Sequence, residues 1–434
     1  MRLALAFHGS RGDVQPGIAL GRTLADRGHT VVLAVPPNLV DFAARSGLDA
    51  RACGPDTGEL LASDLVVSHN RSRNPVHRGR ALAELALQGG LAAQADLVEL
   101  ATGADAIVGG SVGQERVLTV AESLDVPYVP IHLCPMRPNR SVALVAPWGR
   151  RLGPRSTRAS WWMIEQALWF AGRRGENRLR AERGLPMAHG PTARRIAAQG
   201  VPEIQAYDPA VFADLGREWG ARRPLVGFLD LDTATRAAIG DAHDTGDLDD
   251  WLDAGPAPVY IGFGSMSAID PHRLATAVVD GTLGRRVLVA TGWSDFLRPE
   301  SLDPAVRHRL VDAGDRIRTV RTVDHSTVLP RCAVAIHHGG AGSTAASLRS
   351  GRPTVVCWLG ADQPLWGRAV TRLGVGSAFA QAHVTADTLA AAIARVDTAP
   401  MRSAAEALRR RLVPPDAAAD RAADVVESTI AQHR

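Results

Sequence analysis

Short apolar runs alternate with amphipathic stretches along most of the chain. Runs at 3–7, 31–35, 106–109 and 128–133 are rich in Val, Ile and Leu, the pattern of strands buried on both faces. Between them, 14–27 and 82–100 repeat apolar residues at helical spacing, and Gly28 stops the first of these. Strands and helices alternating in this way predict an α/β fold built on a parallel, doubly wound sheet. The alternation lapses over 136–184, an Arg-rich stretch with Trp148, Trp161, Trp162, Trp169 and Phe170 that reads as loop plus helices. It resumes at 258. Strands are expected at 259–263, 287–290, 317–320, 334–337 and 354–358, with helices at 271–283, 326–331, 343–350 and 363–373. The Ala- and Arg-rich stretch 404–433 reads as helical.

The pattern therefore divides into two similar halves. A length of 434 residues suggests two or three domains at roughly 150 residues each. The expected units are a Rossmann-like domain over 1–229 and a second over 257–410. The stretch 230–256, with its acidic run from Asp241 to Asp253, is expected to hold a linker and the first helix of the second domain. A C-terminal helix over 411–434 is expected to pack back toward the first domain. Two such domains facing across a cleft place ligands at the carboxyl ends of their strands.

Composition narrows the chemistry. No apolar run approaches the ~18 residues of a membrane-spanning helix. The apolar start, residues 3–7, runs straight into Gly9-Ser10-Arg11-Gly12-Asp13 without a cleavage site, so a buried strand and a cytoplasmic protein are expected. Cys53, Cys134, Cys332 and Cys357 are scattered, with no metal-site or redox spacing. The formal net charge of +4 comes from interspersed acids and bases, a weak basis for nucleic-acid binding. All 49 basic residues are Arg. Without Lys there is neither a pyridoxal-phosphate Schiff base nor a P-loop lysine.

Three constellations carry chemistry. In His8-Gly9-Ser10-Arg11-Gly12-Asp13-Val14-Gln15-Pro16, two glycines allow a sharp turn after the first strand and Asp13 enters the first helical turn. A carboxylate there is favoured by the helix dipole, either as a cap or as a general base. In Ala335-Ile336-His337-His338-Gly339-Gly340-Ala341-Gly342-Ser343-Thr344, a strand delivers paired His to a glycine turn and a helix N-terminus. That assembly suits a diphosphate, although it lacks the dinucleotide glycine spacing. In Asp362-Gln363-Pro364, an acid and an amide stand at a strand's carboxyl end. The pair reads either as a helix cap or as a holder of neighbouring sugar hydroxyls.

Together with Tyr260-Ile261-Gly262-Phe263-Gly264-Ser265 and Val323-Asp324-His325-Ser326, these segments resemble nucleotide-sugar glycosyltransferases of the two-Rossmann (GT-B) type. The resemblance spans nearly the whole chain and is nearest to bacterial antibiotic glycosyltransferases and sterol 3-beta-glucosyltransferases. It implies an inverting, metal-independent transfer of a hexose with no bound cofactor. Asp13 takes the place of the catalytic base. The donor side falls to Ser10, Arg11, Ser265, Trp293, Val323, His338, Gly340, Gly342, Ser343, Thr344, Asp362 and Gln363, with His338 rather than His337 on the diphosphate. Many relatives bind the ribose with a Glu eight residues after that His, where this chain has Ala346. UDP-glucose is the favoured donor by analogy with the sterol branch, and a TDP-sugar is the other option.

The acceptor is expected to be a small hydrophobic molecule such as a polyketide, macrolide, sterol or lipid. His8, His132, Trp161 and Trp162 are candidates for its pocket, while helix packing is the more expected role of each Trp. The Arg cluster at Arg150, Arg151, Arg155 and Arg158 reads as a solvated face or as a contact with an anionic membrane surface. The rival readings are a sugar-nucleotide 2-epimerase and a non-catalytic nucleotide-sugar binder.

Overall fold

A computed structural model describes residues 1–62, 89–143, 153–240, 246–264, 270–292 and 296–433. Two compact units emerge. Residues Met1–Thr235 join Val413–Arg434 in the first, and Arg236–Leu412 form the second.

Six parallel strands make the first sheet: β1 (Arg2–Ala6), β2 (Thr30–Val35), β3 (Asp49–Ala52), β4 (Ala106–Gly109), β5 (Tyr128–His132) and β6 (Ile204–Gln205). Their order is β3-β2-β1-β4-β5-β6. The second sheet holds β7 (Val259–Gly262), β8 (Val287–Ala290), β9 (Ile317–Val320), β10 (Val334–His337), β11 (Thr354–Trp358) and β12 (Gly376–Ala380) in the order β12-β11-β10-β7-β8-β9. In each sheet the strand order reverses beside the first strand, between β1 and β4 and again between β7 and β10. At such a switch point the flanking connections leave in opposite directions and open a crevice beyond the strand ends.

The central strands are the ones that the apolar runs foretold, because both of their faces are covered. Leu3, Leu5, Ile107, Val259, Ile261, Val334 and Ile336 are all at most 1% exposed. Of the four edge strands only β9 was expected, and the other three were missed. β3 reads Asp-Ala-Arg-Ala and is mostly exposed, β6 has two residues, and β12 opens on Gly376 and Ser377. Each forms because a buried neighbour offers a row of backbone partners, as β2 does for Asp49–Ala52.

Three stretches differ from the expectation. In the region read as loop plus helices, the described residues form one helix of 28 residues, Pro154–Ala181, opened by Pro in its first turn. A helix at Pro304–Ala313 had no strong apolar period and begins where the Asp303 carboxylate caps Ala305 N–H at 2.9 Å. The expected helix at 82–100 is described only from residue 89, where it runs on to 101.

The chain returns to the first unit through Val413, whose N–H donates to the buried Asp208 carboxylate at 2.7 Å. The C-terminal helix, Pro415–His433, lies against the first helix, Arg11–Asp26. Arg27 fastens the two by ion pairs to Asp420 and Asp424 at 2.7 Å each and to Glu427 at 3.0 Å. His29 meets the other oxygen of Glu427 at 2.8 Å.

Candidate active site

In the first unit the connection after β1 builds a positioned carboxylate. Ser10 precedes the first helix in extended conformation, and Asp13 follows in its first turn. The Asp13 N–H donates to the Ser10 carbonyl at 2.9 Å. In return, the Ser10 N–H and Oγ–H both donate to Asp13 Oδ2, at 2.8 and 2.9 Å. The carboxylate lies over Gly9, where φ is +115° and a Cβ would stand 2.5 Å from Oδ2. Only glycine combines that dihedral with that approach. Burial pushes the Asp13 carboxyl above its usual value, and the two Ser10 donors pull it partly back.

His8 lies two residues beyond the same strand, with Nε2 3.4 Å from Cys53 Sγ and Nδ1 buried without a hydrogen-bond partner among the described residues. Burial, helped by Arg116, lowers its pKa to about 3, so it is neutral at physiological pH. Arg11 places its guanidinium 4.6 Å from the centre of the Phe42 ring. Thus His8, Ser10 and Asp13 stand together at the switch point, while Arg11 is turned to an aromatic face.

The other acceptor candidates are spread through the unit. His132 is fully buried and takes a hydrogen bond from Gln205 Nε2 at 2.9 Å, with Glu203 3.8 Å from its Nε2. Desolvation holds it well below the normal imidazole pKa. Glu203 itself is buried between Arg137 at 2.5 Å and Arg223 at 2.7 Å. Trp161 is buried, with Nε1 donating to Val142 O at 2.7 Å, whereas Trp162 is 49% exposed. The two indoles therefore do not form one wall. Arg155 and Arg158 are exposed on the same helix; Arg150 and Arg151 lie outside the described residues.

In the second unit the glycine turns beyond β7, β8, β10 and β11 converge. A Cβ on Gly264 would approach His338 Cε1 to 3.3 Å, one on Gly292 would strike Gly264 O at 2.2 Å, and one on Gly339 would reach Gln363 Cβ at 3.4 Å. The paired histidines part company here. His337 points inward, with Nδ1 accepting from Gly339 N–H at 3.0 Å and Nε2 bonded to Ser347 Oγ at 3.1 Å. His338 points the other way, and its buried Nδ1 has no partner among the described residues. Burial, with His325 nearby, lowers the His338 pKa to about 4, which leaves a neutral ring. Gly340 precedes the helix Ala341–Ser350, so the first-turn N–H groups at Ala341, Gly342 and Ser343 face the same turn.

Other donor candidates are partly committed. Thr344 is buried and its Oγ1 donates to Gly340 O at 2.9 Å. The Gln363 carbonyl accepts from Leu359 N at 2.7 Å, and Asp362 Oδ2 accepts from Trp366 Nε1 at 2.9 Å. Val323 and Ala346 pack against one apolar cluster formed by Leu248, Leu252, Tyr260 and Leu288. Ser265 and Trp293 lie outside the described residues. A contact missed in the sequence is Tyr260 OH with His325 Nε2 at 2.8 Å, which ties the loop after β9 to β7. Its signal was Gly262, two residues after Tyr260, where a Cβ would collide with the Tyr hydroxyl. Among the described residues, no group of three or more His, Cys, Asp or Glu is arranged to hold a metal ion. None of their helices is long and apolar enough to cross a membrane.

Residues 3–129 match the family model "Glycosyltransferase family 28 N-terminal domain", and 300–431 match "Erythromycin biosynthesis protein CIII-like, C-terminal domain". A glycosyltransferase of Mycobacterium tuberculosis is 35% identical over 438 residues, covering 100% of both chains. This chain belongs to the glycosyltransferases. As a glycosyltransferase it is also similar to the O-mycaminosyltylonolide 6-deoxyallosyltransferase of Streptomyces fradiae, 30% identical over 434 residues, or 97% of this chain and 94% of that one. Solved structures agree on the fold. The glycosyltransferase of kitacinnamycin superposes with a TM-score of 0.69 at 20% identity, covering 99% of this chain and 98% of that one. VinC, solved in complex with dTDP, gives 0.60 at 17% identity and covers 100% of both chains. The fold is thus GT-B, with two Rossmann-like units, and the enzyme reading replaces the epimerase and the non-catalytic binder.

Proposed function

We propose that this glycosyltransferase moves a hexose from a UDP- or TDP-sugar to a hydroxyl of a small hydrophobic acceptor, with inversion and without a metal. The observation that carries the donor side is His338: a buried ring nitrogen with no partner among the described residues, beside a glycine turn and a helix N-terminus without a side-chain cap. Such a site offers neutral donors and the positive end of a dipole to a diphosphate.

In this reading Asp13 takes the proton of the acceptor hydroxyl as the acceptor oxygen bonds to the anomeric carbon. The bond from that carbon to the diphosphate oxygen breaks, and its electron pair leaves with the diphosphate. His338 and the N–H groups at Gly342 and Ser343 stabilise the leaving charge, the part played by a cation in metal-dependent transferases. Burial that raises the Asp13 pKa makes it a better base than a solvated carboxylate. Asp362 and Gln363 are assigned to the sugar hydroxyls, Gln363 through its amide N–H₂ because its side-chain carbonyl is held in the turn. The names of the tylonolide deoxyallosyltransferase and of the glycosyltransferase of kitacinnamycin support a small-molecule acceptor. The dTDP of VinC makes TDP as strong a candidate as UDP.

Calorimetric titration with UDP, TDP, UDP-glucose and TDP-glucose, repeated with EDTA, tests the assignment. Binding of one nucleotide family, lost in His338→Ala and unchanged by EDTA, is expected. Binding that vanishes with EDTA and returns with Mg²⁺ removes the metal-free mechanism. Binding unaffected in His338→Ala removes that residue from the diphosphate.

A further inference from the structure

We infer that Ser10 is the positioning residue of the catalytic carboxylate, fixing Asp13 through Oδ2 so that Oδ1 is the oxygen that accepts the proton. This rests on the reading of Asp13 as the base. The sequence resemblance puts Ser10 on the donor side, but the geometry gives it another duty. Both of its donors, N–H and Oγ–H, end on the same oxygen, at 2.8 and 2.9 Å. A carboxylate with two donors on one oxygen cannot rotate about its Cβ–Cγ bond without breaking both. The close packing of Oδ2 over the bare Cα of Gly9 holds the same orientation from the other side. No described residue donates to Oδ1.

The titratable surroundings are few. His8 is neutral and engaged with Cys53, Arg11 sits over Phe42, and Arg116 acts on His8. The two Ser10 hydrogen bonds are what oppose burial at Asp13. Because the Ser10 hydroxyl stabilises the charged carboxylate, its removal raises the Asp13 pKa and moves the acid limb of activity to higher pH.

The test needs no knowledge of the acceptor. Protein labelled with ¹³C at the Asp carboxyl carbons is titrated by NMR, the Asp13 signal being the one absent from Asp13→Asn. In parallel, release of nucleoside diphosphate from UDP-glucose and TDP-glucose is followed with water as acceptor, as a function of pH. Ser10→Ala is expected to raise the Asp13 pKa by about one to two units and to lower kcat about tenfold, with the donor KM unmoved. Ser10→Thr, which keeps the hydroxyl, restores both. A helix cap alone would leave the pH profile where it is. If Ser10→Ala does not fold, Ser10→Gly makes the same deletion at little cost to the cap. Turnover undiminished in Asp13→Asn overturns the base itself. An inactive Asp13→Asn beside a hydroxyl-free Ser10 variant with an unmoved pKa and pH profile overturns the positioning role alone.

Discussion

Replacing Gly340 with Ala tests the donor site through a single displaced ring. Gly340 has φ −63° and ψ 152°, values that any residue adopts, so Ala brings no backbone strain. What it brings is a methyl carbon 2.5 Å from His338 Nε2, 3.3 Å from Cδ2 and 3.4 Å from Cε1. Ordinary contact needs about 3.4 Å or more, so the imidazole must swing by roughly 1 Å, taking Nδ1 with it. A hydrogen bond to a charged group is worth about 1.5–3 kcal/mol, so the diphosphate should bind roughly 10- to 150-fold more weakly. The cap is disturbed little, since Ala replaces Gly at a cost of about 0.5–1 kcal/mol. The assay is calorimetric titration of UDP and TDP into wild type, Gly340→Ala, His338→Ala and the double variant. If Gly340 acts through the ring alone, the double variant binds no worse than His338→Ala. Wild-type affinity in Gly340→Ala would falsify the assignment of His338, and a double variant much weaker than either single one would mean that the backbone at 340 itself touches the phosphates.

Two further substitutions probe the first unit. Gly9→Ala places a Cβ 2.5 Å from Asp13 Oδ2 and forces an L-residue to φ +115°; turnover should fall by ~100-fold or more for a displacement near 1 Å, with nucleotide affinity in the second unit unchanged. Steady-state kinetics beside titration checks this, and full turnover would show that the carboxylate tolerates the shift. Arg27→Ala removes three ion pairs between a side chain that is 27% exposed and the C-terminal helix. It should cost about 1 kcal/mol in urea unfolding at low salt and less at high salt, whereas a salt-independent cost would point to packing of the Arg stem.

The sequence by itself determined the parallel α/β architecture and the turns where the candidate site residues gather. Strands covered on both faces must be apolar throughout, so β1, β4, β7 and β10 announced themselves. The glycine turns beyond them were equally visible, because only Gly tolerates the positive φ at Gly9 and Gly339. The edge strands β3 and β6 escaped notice, since they owe their form to a neighbour's unpaired backbone and not to their own side chains, whereas the edge strand β9 was visible in its own residues.

Only the tertiary structure decided what each polar atom does. Adjacent histidines carry the same chemistry in a sequence, yet strand alternation turns His337 to Ser347 and leaves the His338 Nδ1 without a partner among the described residues. Gln363 offered a whole amide to a sugar until its carbonyl was seen to hold the turn at Leu359. Ser10, read in the sequence as a donor-side hydroxyl, has both of its donors on Asp13. Side-chain type limits which hydrogen bonds a residue can make. Which bond it does make depends on partners that folding brings within about 3 Å, and those come from other turns of the chain.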